Sequence, residues 1–188
     1  MRRLAISSLL LLLAVAFAGC SSSGRYVHPS ADLGAVRTVA VLPFENLVAD
    51  KLAADRVQKI FFTVLLESGA FEVMEPGHVL QAVRRAQMDP GALTIDDIKK
   101  LGQTLKVQAL FLGSVIEYDD GRMGGGVAAP RVKLHLRMVD TETATTLWSA
   151  TPSQSGMSAS GRLLGIGGDP ASQVADDLIR KEIGKLVK

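Results

Sequence analysis

Cys20 carries the only thiol of the 188-residue chain. The nucleophile of a cysteine is its thiolate, so Cys20 is the first candidate for a residue that forms a covalent bond. It follows Phe17-Ala18-Gly19 and precedes Ser21-Ser22-Ser23-Gly24, so it lies among small residues. Once its sulfur is modified, no thiol remains for a disulfide, a cysteine-based metal site or a cysteine nucleophile.

The residues before Cys20 have the three parts of a bacterial secretory signal. A positive start (Arg2-Arg3) is followed by an apolar stretch over 4–17 and then by small residues. The segment resembles a lipoprotein signal, in which the cysteine thiol takes a diacylglycerol and the bond between Gly19 and Cys20 is cut. The resemblance implies that residues 1–19 are a cleaved signal peptide and that the covalent lipid on Cys20 is the only cofactor.

Two other interpretations of this segment are an ordinary signal peptide and an uncleaved anchor, each with an incidental cysteine. The apolar stretch argues against the anchor, because it is shorter than the roughly 20 residues that a membrane span needs. The residue after the cysteine is Ser21 and not the Asp that retains enteric-type lipoproteins in the inner membrane. The resemblance therefore implies the periplasmic face of the outer membrane, in a host that has two membranes.

The positive charge of the chain belongs to its signal. The full chain has 21 basic and 19 acidic residues, and removal of residues 1–19 takes away two arginines and no acid. The remaining body is net-neutral, whereas nucleic-acid binding usually requires a basic patch. We expect no nucleic-acid partner.

Other residues with catalytic or ligand-binding chemistry are scattered. His28, His78 and His135 lie far apart, and no two of them have the spacing of metal ligands. The glycines of 156–162 are spaced as in a phosphate loop but lack its lysine, and 165–170 has proline in place of the last glycine of a dinucleotide-binding turn. We predict no metal site, no catalytic residues and no enzymatic activity.

The hydrophobic patterns predict an α/β (α+β) fold of the order β-α-β-α-α-β, then a two-strand antiparallel meander and a last helix. The predicted strands are 36–44, 71–75, 107–118, 131–140 and 145–151. Amphipathic helices fill the intervals, and their predicted buried positions include Leu52, Leu80 and Ile95. Helices of this kind cover a single mixed sheet, with 107–118 near its centre because it is apolar on both faces.

Residues 20–34 are predicted to be the lipidated cysteine and a flexible tether, and 35–188 a single domain. Within the domain, 131–140 alternates strictly between apolar and polar residues, which is typical of a strand with one solvated face. The polar positions are Arg131, Lys133, His135 and Arg137. These four residues are candidates for binding an anionic partner, and a merely solvated face is the alternative.

Four segments and their order resemble a superfamily of envelope lipoproteins that includes the curli secretion lipoprotein CsgG, the cell-wall synthase activator LpoB and the flagellar lipoprotein FlgO. The segments are 39–46, 66–75, 110–115, and 138–141 leading to Leu147-Trp148. The resemblance covers residues 36–187, nearly all of the mature chain. One departure is Ala144, because the Asp-x-x-Thr-Gly turn of the family usually ends in glycine.

The resemblance implies one of two functions. Curli-type members form rings that insert β-hairpins as an outer-membrane pore, whereas LpoB-type members act on a partner protein by contact. A membrane hairpin needs about twenty residues of alternating pattern, and neither loop 121–130 nor loop 152–168 has this. We therefore expect a non-pore accessory factor for envelope assembly with an unidentified protein partner. The alternative is a subunit of an oligomeric, curli-type secretion channel.

Overall fold

The computed structural model describes residues 24–121, 129–156 and 169–187. Its strands are β1 (Gly24–Val27), β2 (Thr38–Val41), β3 (Glu45–Asn46), β4 (Glu72–Val73), β5 (Ala109–Asp119), β6 (Arg131–Asp140), β7 (Thr146–Thr151) and β8 (Ser153–Ser155). Its helices are α1 (Ala53–Glu67), α2 (Pro76–Arg85), α3 (Ile95–Leu105) and α4 (Ala171–Leu186), and a 3-10 turn spans Leu33–Ala35. None of these helices is long and apolar enough to cross a membrane.

The strands form one open mixed sheet in the order β1-β7-β6-β5-β2-β4, with β3 paired to β5 and β8 to β6. Strand β5 runs parallel to β2 and β3 and antiparallel to β6, so it is central as predicted. The meander of β6 and β7 is also present. The predicted fold class is therefore confirmed.

Helices cover the sheet in two separate layers. Helices α1 and α4 pack on one face, where Trp148, Phe61 and Phe111 belong to a large buried cluster. Helices α2 and α3 pack on the other face over a smaller cluster that contains Leu110 and Leu112. Strand β5 contributes to both clusters because successive side chains of a strand point to opposite faces.

Three residues predicted to be buried are exposed. Leu52 is 55% exposed, Leu80 38% and Ile95 63%. Leu52 is the residue before the first turn of α1, and Ile95 is the first residue of α3, so both project past the edge of the core. Helical periodicity locates the buried stripe but not the point at which a helix end leaves the sheet.

Part of the predicted tether is a strand. Residues 24–27 form β1, which pairs antiparallel with β7 from Gly24 opposite Thr151 to Val27 opposite Trp148. The pairing satisfies backbone groups along β7 that an unpaired edge would leave open. The prediction of a flexible tether is therefore wrong for these four residues, while Cys20 and the rest of 1–23 lie outside the described residues.

The turn between β6 and β7 keeps its form although Ala144 replaces the expected glycine. Ala144 has a φ of +59°, in the left-handed region that glycine adopts without steric cost. Asp140 Oδ1 accepts the backbone N–H of Thr143 at 2.7 Å and of Glu142 at 3.1 Å. These bonds hold the turn, and the strained alanine remains within it.

Candidate contact surface

Helices α2 and α3 cover only part of their face of the sheet. The sheet residues beneath these helices belong to β2, to the first half of β5 and to the end of β6. Examples are Ala40 on β2, Leu110 on β5 and Val139 on β6. The remaining half of this face carries polar side chains that are exposed or half-buried. We call it the open face, and its residues are Tyr26, Glu45, Ser114, Glu117, Asp119, Arg131, Lys133, His135, Arg137, Ser149 and Thr151.

The register of the strands brings these side chains onto one surface. Arg137 lies opposite Ser149 on β7, and Ser149 lies opposite Tyr26 on β1. His135 lies opposite Ser114 on β5. Directly opposed residues of antiparallel strands share a face, so the four predicted residues of β6 and their neighbours form one continuous patch.

The cations of the open face are weakly neutralised. Arg131 Nη1 lies 4.0 Å from Glu117 Oε1, and both side chains are solvent-exposed, so this pair contributes little. Neither Lys133 nor Arg137 forms an ion pair with any residue of the described ranges. Both side chains therefore keep a charge that a partner can meet.

His135 differs from its three neighbours. Its Nδ1 lies 3.1 Å from Thr151 Oγ1, and it is half-buried between strands. Burial, with a smaller contribution from the charge of Arg137, lowers the pKa of His135 below 6.5. The imidazole is therefore neutral at pH 7, and the cations of the open face are Arg131, Lys133 and Arg137.

Tyr26 is one of the members of the open face that sequence reasoning did not predict. It is 45% exposed and reaches the patch only because β1 pairs with β7. The pairing joins residues distant in sequence, and a four-residue strand has no periodicity strong enough to predict it. Exposed tyrosines are enriched at protein interfaces.

The other candidates from the sequence are not brought together. His28 lies in the loop after β1 and His78 in the first turn of α2, far from His135 in the sheet. The described residues contain no group of three or more His, Cys, Asp or Glu side chains that could hold a metal. Cys20, Gly19, residues 122–128 and residues 157–168 lie outside the described residues, so the lipidation site and the two glycine-rich loops stay predictions.

The chain matches one family model over most of its length. The model of the family described as the curli production assembly/transport component CsgG matches residues 37–188. No curated protein matches the chain.

Solved structures share the fold at low sequence identity. The PelC dodecamer from Paraburkholderia phytofirmans is 17% identical, with a TM-score of 0.60 over 88% of this chain and 96% of that one. The hypothetical protein CT253 from Chlamydia trachomatis is 12% identical, with a TM-score of 0.55 over 81% and 96%. Lipoprotein GNA1162 from Neisseria meningitidis is 20% identical, with a TM-score of 0.53 over 69% and 91%.

Proposed function

The chain belongs to the family of the curli production assembly/transport component CsgG, whose members are envelope accessory and assembly proteins, and we propose that it works by contacting another envelope protein through its open face. In this proposal the protein is held at the periplasmic side of the outer membrane by a lipid on Cys20. It binds its partner and catalyses no reaction.

One observation carries the proposal: the open face is a polar half of a sheet, with a row of cations on β6 beside acidic residues on β3 and β5, and no described helix covers it. Charged groups on a rigid sheet are arranged before binding, so a partner does not have to order them. Complementary charge steers encounter and fixes orientation more than it adds affinity. The cations of β6 therefore fit a protein partner that presents carboxylates.

The lipid anchor is the second part of the proposal. Each buried methylene of an acyl chain contributes about 0.8 kcal/mol to membrane binding, so several chains hold a protein firmly. Gly24, the first residue of β1, follows Cys20 by four residues, which span at most about 14 Å. The short link supports a contact made close to the anchoring membrane.

Replacement of the thiol tests the anchor. The Cys20→Ala variant is expected to lose acyl labelling in cells and to leave the membrane fraction. The Ser21→Ala variant keeps the thiol and is the matched control, expected to fractionate as the wild type does. If Cys20→Ala is still acylated and still fractionates with membranes, the anchor is not at Cys20.

A subunit of an oligomeric secretion channel is the second candidate function. Two observations favour it: the family description includes transport, and a solved structure with this fold is a dodecamer. The size of the detergent-extracted protein and its conductance in a planar bilayer separate the candidates. A stable ring with channel conductance would overturn the contact function, whereas a non-conducting protein would exclude the channel.

A further inference from the structure

A positively charged surface lies on the opposite face of the sheet from the open face. It is a cleft of about 540 Å³ between β1, the start of β2, the segment before β4 and the end of α4. Its lining residues include Arg25, Leu33, Arg37, Phe71, Lys185 and Leu186. Three residues of its lining are basic and none is acidic, and we call this site the cationic cleft.

The fold aims Arg25 at this cleft and not at the open face. Arg25 lies opposite Ala150, whose side chain belongs to the core beneath α1 and α4, so both point to that side of the sheet. Arg25 Nη2 donates to the backbone oxygen of Lys185 at 2.6 Å. This bond places the guanidinium at the C-terminal end of α4.

Arg37 supplies the second charge. Its backbone N–H donates to Gln108 Oε1 at 2.7 Å, which fixes the start of β2. The side chain is exposed and forms no ion pair with any residue of the described part of the chain. The guanidinium is therefore available to a ligand at no cost in existing contacts.

Lys185 contributes less charge than its position implies. Its Nζ lies 2.6 Å from Oε1 of Glu182, which is buried in α4, so that carboxylate neutralises the ammonium. The net charge of the cationic cleft thus comes from the two arginines. Guanidinium groups match the geometry of phosphate oxygens because each can donate two parallel hydrogen bonds.

The remaining lining is apolar. Leu33 and Phe71 are half-buried and Leu186 is buried, so hydrocarbon surface lies beside the two arginines. A small inorganic anion would leave this surface uncovered, whereas an amphiphile would use both parts. The shape and chemistry of the cleft favour an anionic head with a hydrocarbon chain attached.

From this combination we propose that the cationic cleft binds the phosphate-bearing headgroup of an anionic phospholipid in the membrane to which the protein is attached. The position of the cationic cleft agrees with a ligand in the membrane, because Arg25 is five residues from Cys20 and lies within about 17 Å of it along the chain. This step rests on the proposed anchor at Cys20. Headgroup binding would orient the domain on the membrane instead of leaving it to rotate about its link.

The test uses the mature protein (residues 20–188) with Cys20→Ser, so that no acyl chain contributes. Binding is measured by co-sedimentation with vesicles of phosphatidylcholine alone and with vesicles that contain phosphatidylglycerol. We expect binding only to the second kind. Loss of one arginine near an anionic surface weakens binding by about fivefold, so Arg37→Gln is expected to do this and the double variant with Arg25→Gln to weaken it about 30-fold.

Arg85→Gln is the matched control, because Arg85 is an exposed arginine on α2, outside the cationic cleft. It is expected to bind as the parent does, and thermal unfolding of each variant checks that the fold is kept. Equal binding by Arg37→Gln, the double variant and Arg85→Gln would overturn the proposal. So would binding of inorganic phosphate that depends on both arginines, without binding to either vesicle.

Failure of the two proposals is distinguishable. An anchor elsewhere than Cys20 appears in cells as acylation that survives Cys20→Ala, and it leaves vesicle binding by the Cys20→Ser protein unchanged. If the headgroup proposal is wrong, Cys20 is still acylated in cells, and only the lipid-dependent binding to vesicles is absent.

Discussion

Gly102 in α3 packs directly on Thr141 in the turn between β6 and β7. A β-carbon on Gly102 would lie 2.3 Å from Thr141 Cβ, so only glycine fits at this position. The Thr141 hydroxyl donates to the backbone oxygen of Val107 at 2.7 Å, which ties the turn to the residues before β5. The contact fixes α3 over one half of the sheet and thereby sets where the open face begins.

Gly102→Ala is expected to destabilise the protein by about 1–3 kcal/mol, because the new methyl group overpacks a buried contact. Gly184→Ala in α4 is the control, since a β-carbon there meets no atom within 4 Å. It is expected to stabilise by about 0.5–1 kcal/mol through helix propensity. Chemical denaturation measures both, and equal effects of the two changes would contradict the packing described.

Ala144→Gly is expected to stabilise the protein, because it removes the cost of a left-handed alanine at φ +59°. The cost is roughly 1–2 kcal/mol, of which the greater freedom of glycine in the unfolded chain offsets part, leaving a net gain of about 0.5–1 kcal/mol. Ala86→Gly is the control, because Ala86 has the right-handed φ of −81° at the end of α2. That change is expected to destabilise, and a loss of stability in Ala144→Gly would show that the turn is not strained.

The His135 imidazole is expected to titrate below pH 6.5 in the folded protein, as measured by NMR. Arg137→Gln removes a neighbouring positive charge, so it is expected to raise the pKa of His135 toward 6.5. Because the folded pKa is depressed, the unfolded state binds more protons between the two pKa values. The contribution of the neutral His135 imidazole to stability is full above pH 6.5 and is lost as the pH falls through the folded pKa. A folded pKa above 6.5 would reverse the sign of this pH dependence.

The start of α3 is expected to be sensitive to acid. Thr94 Oγ1 accepts the backbone N–H of Asp97, and Asp97 Oδ2 accepts the backbone N–H of Thr94 at 3.0 Å. The Thr94 backbone N–H and hydroxyl both donate to the Asp97 carboxylate and lower the pKa of Asp97 below 3.8. The stabilisation from these two bonds is present above pH 3.8 and is lost as the pH falls through the folded pKa. Thr94→Ala is expected to cost about 0.5–2 kcal/mol at pH 7.

The Asp97→Asn variant is the control for the titration. The stability difference between it and the wild type is expected to shrink between pH 5 and pH 2, measured by denaturation at each pH. A difference that stays constant over this range would mean that the carboxylate does not form the cap.

The long elements of the fold follow from sequence pattern. The strict alternation of 131–140 predicted β6 with its observed bounds, and the doubly apolar segment around Leu110 predicted the central strand. Both strands have ten or more residues, so the alternation of β6 and the two-sided apolar character at the start of β5 are clear signals. The solvated positions of β6 in the open face follow from the same alternation.

The short and non-local features could not be predicted in this way. Strands β3 and β8 have two or three residues, too few to show a period, whereas the short β4 lies within the predicted strand 71–75. The place of β1 depends on an edge of β7 that lies far away in sequence, and Tyr26 and Arg25 reach their two surfaces only through that pairing. The cationic cleft likewise joins residues from both ends of the domain, so spacing along the chain gives no sign of it.

The central claim is that the open face contacts an envelope protein, and site-specific photocrosslinking in cells tests it most directly. A photoreactive phenylalanine analogue replaces Tyr26, which lies in the same row of the sheet as Ser149 and Arg137. We predict one discrete adduct that disappears with Arg137→Glu and persists with the control Arg85→Glu. An adduct that survives Arg137→Glu would contradict the claim. So would the absence of an adduct at position 26 when the same analogue at the exposed Gln103 of α3 gives one.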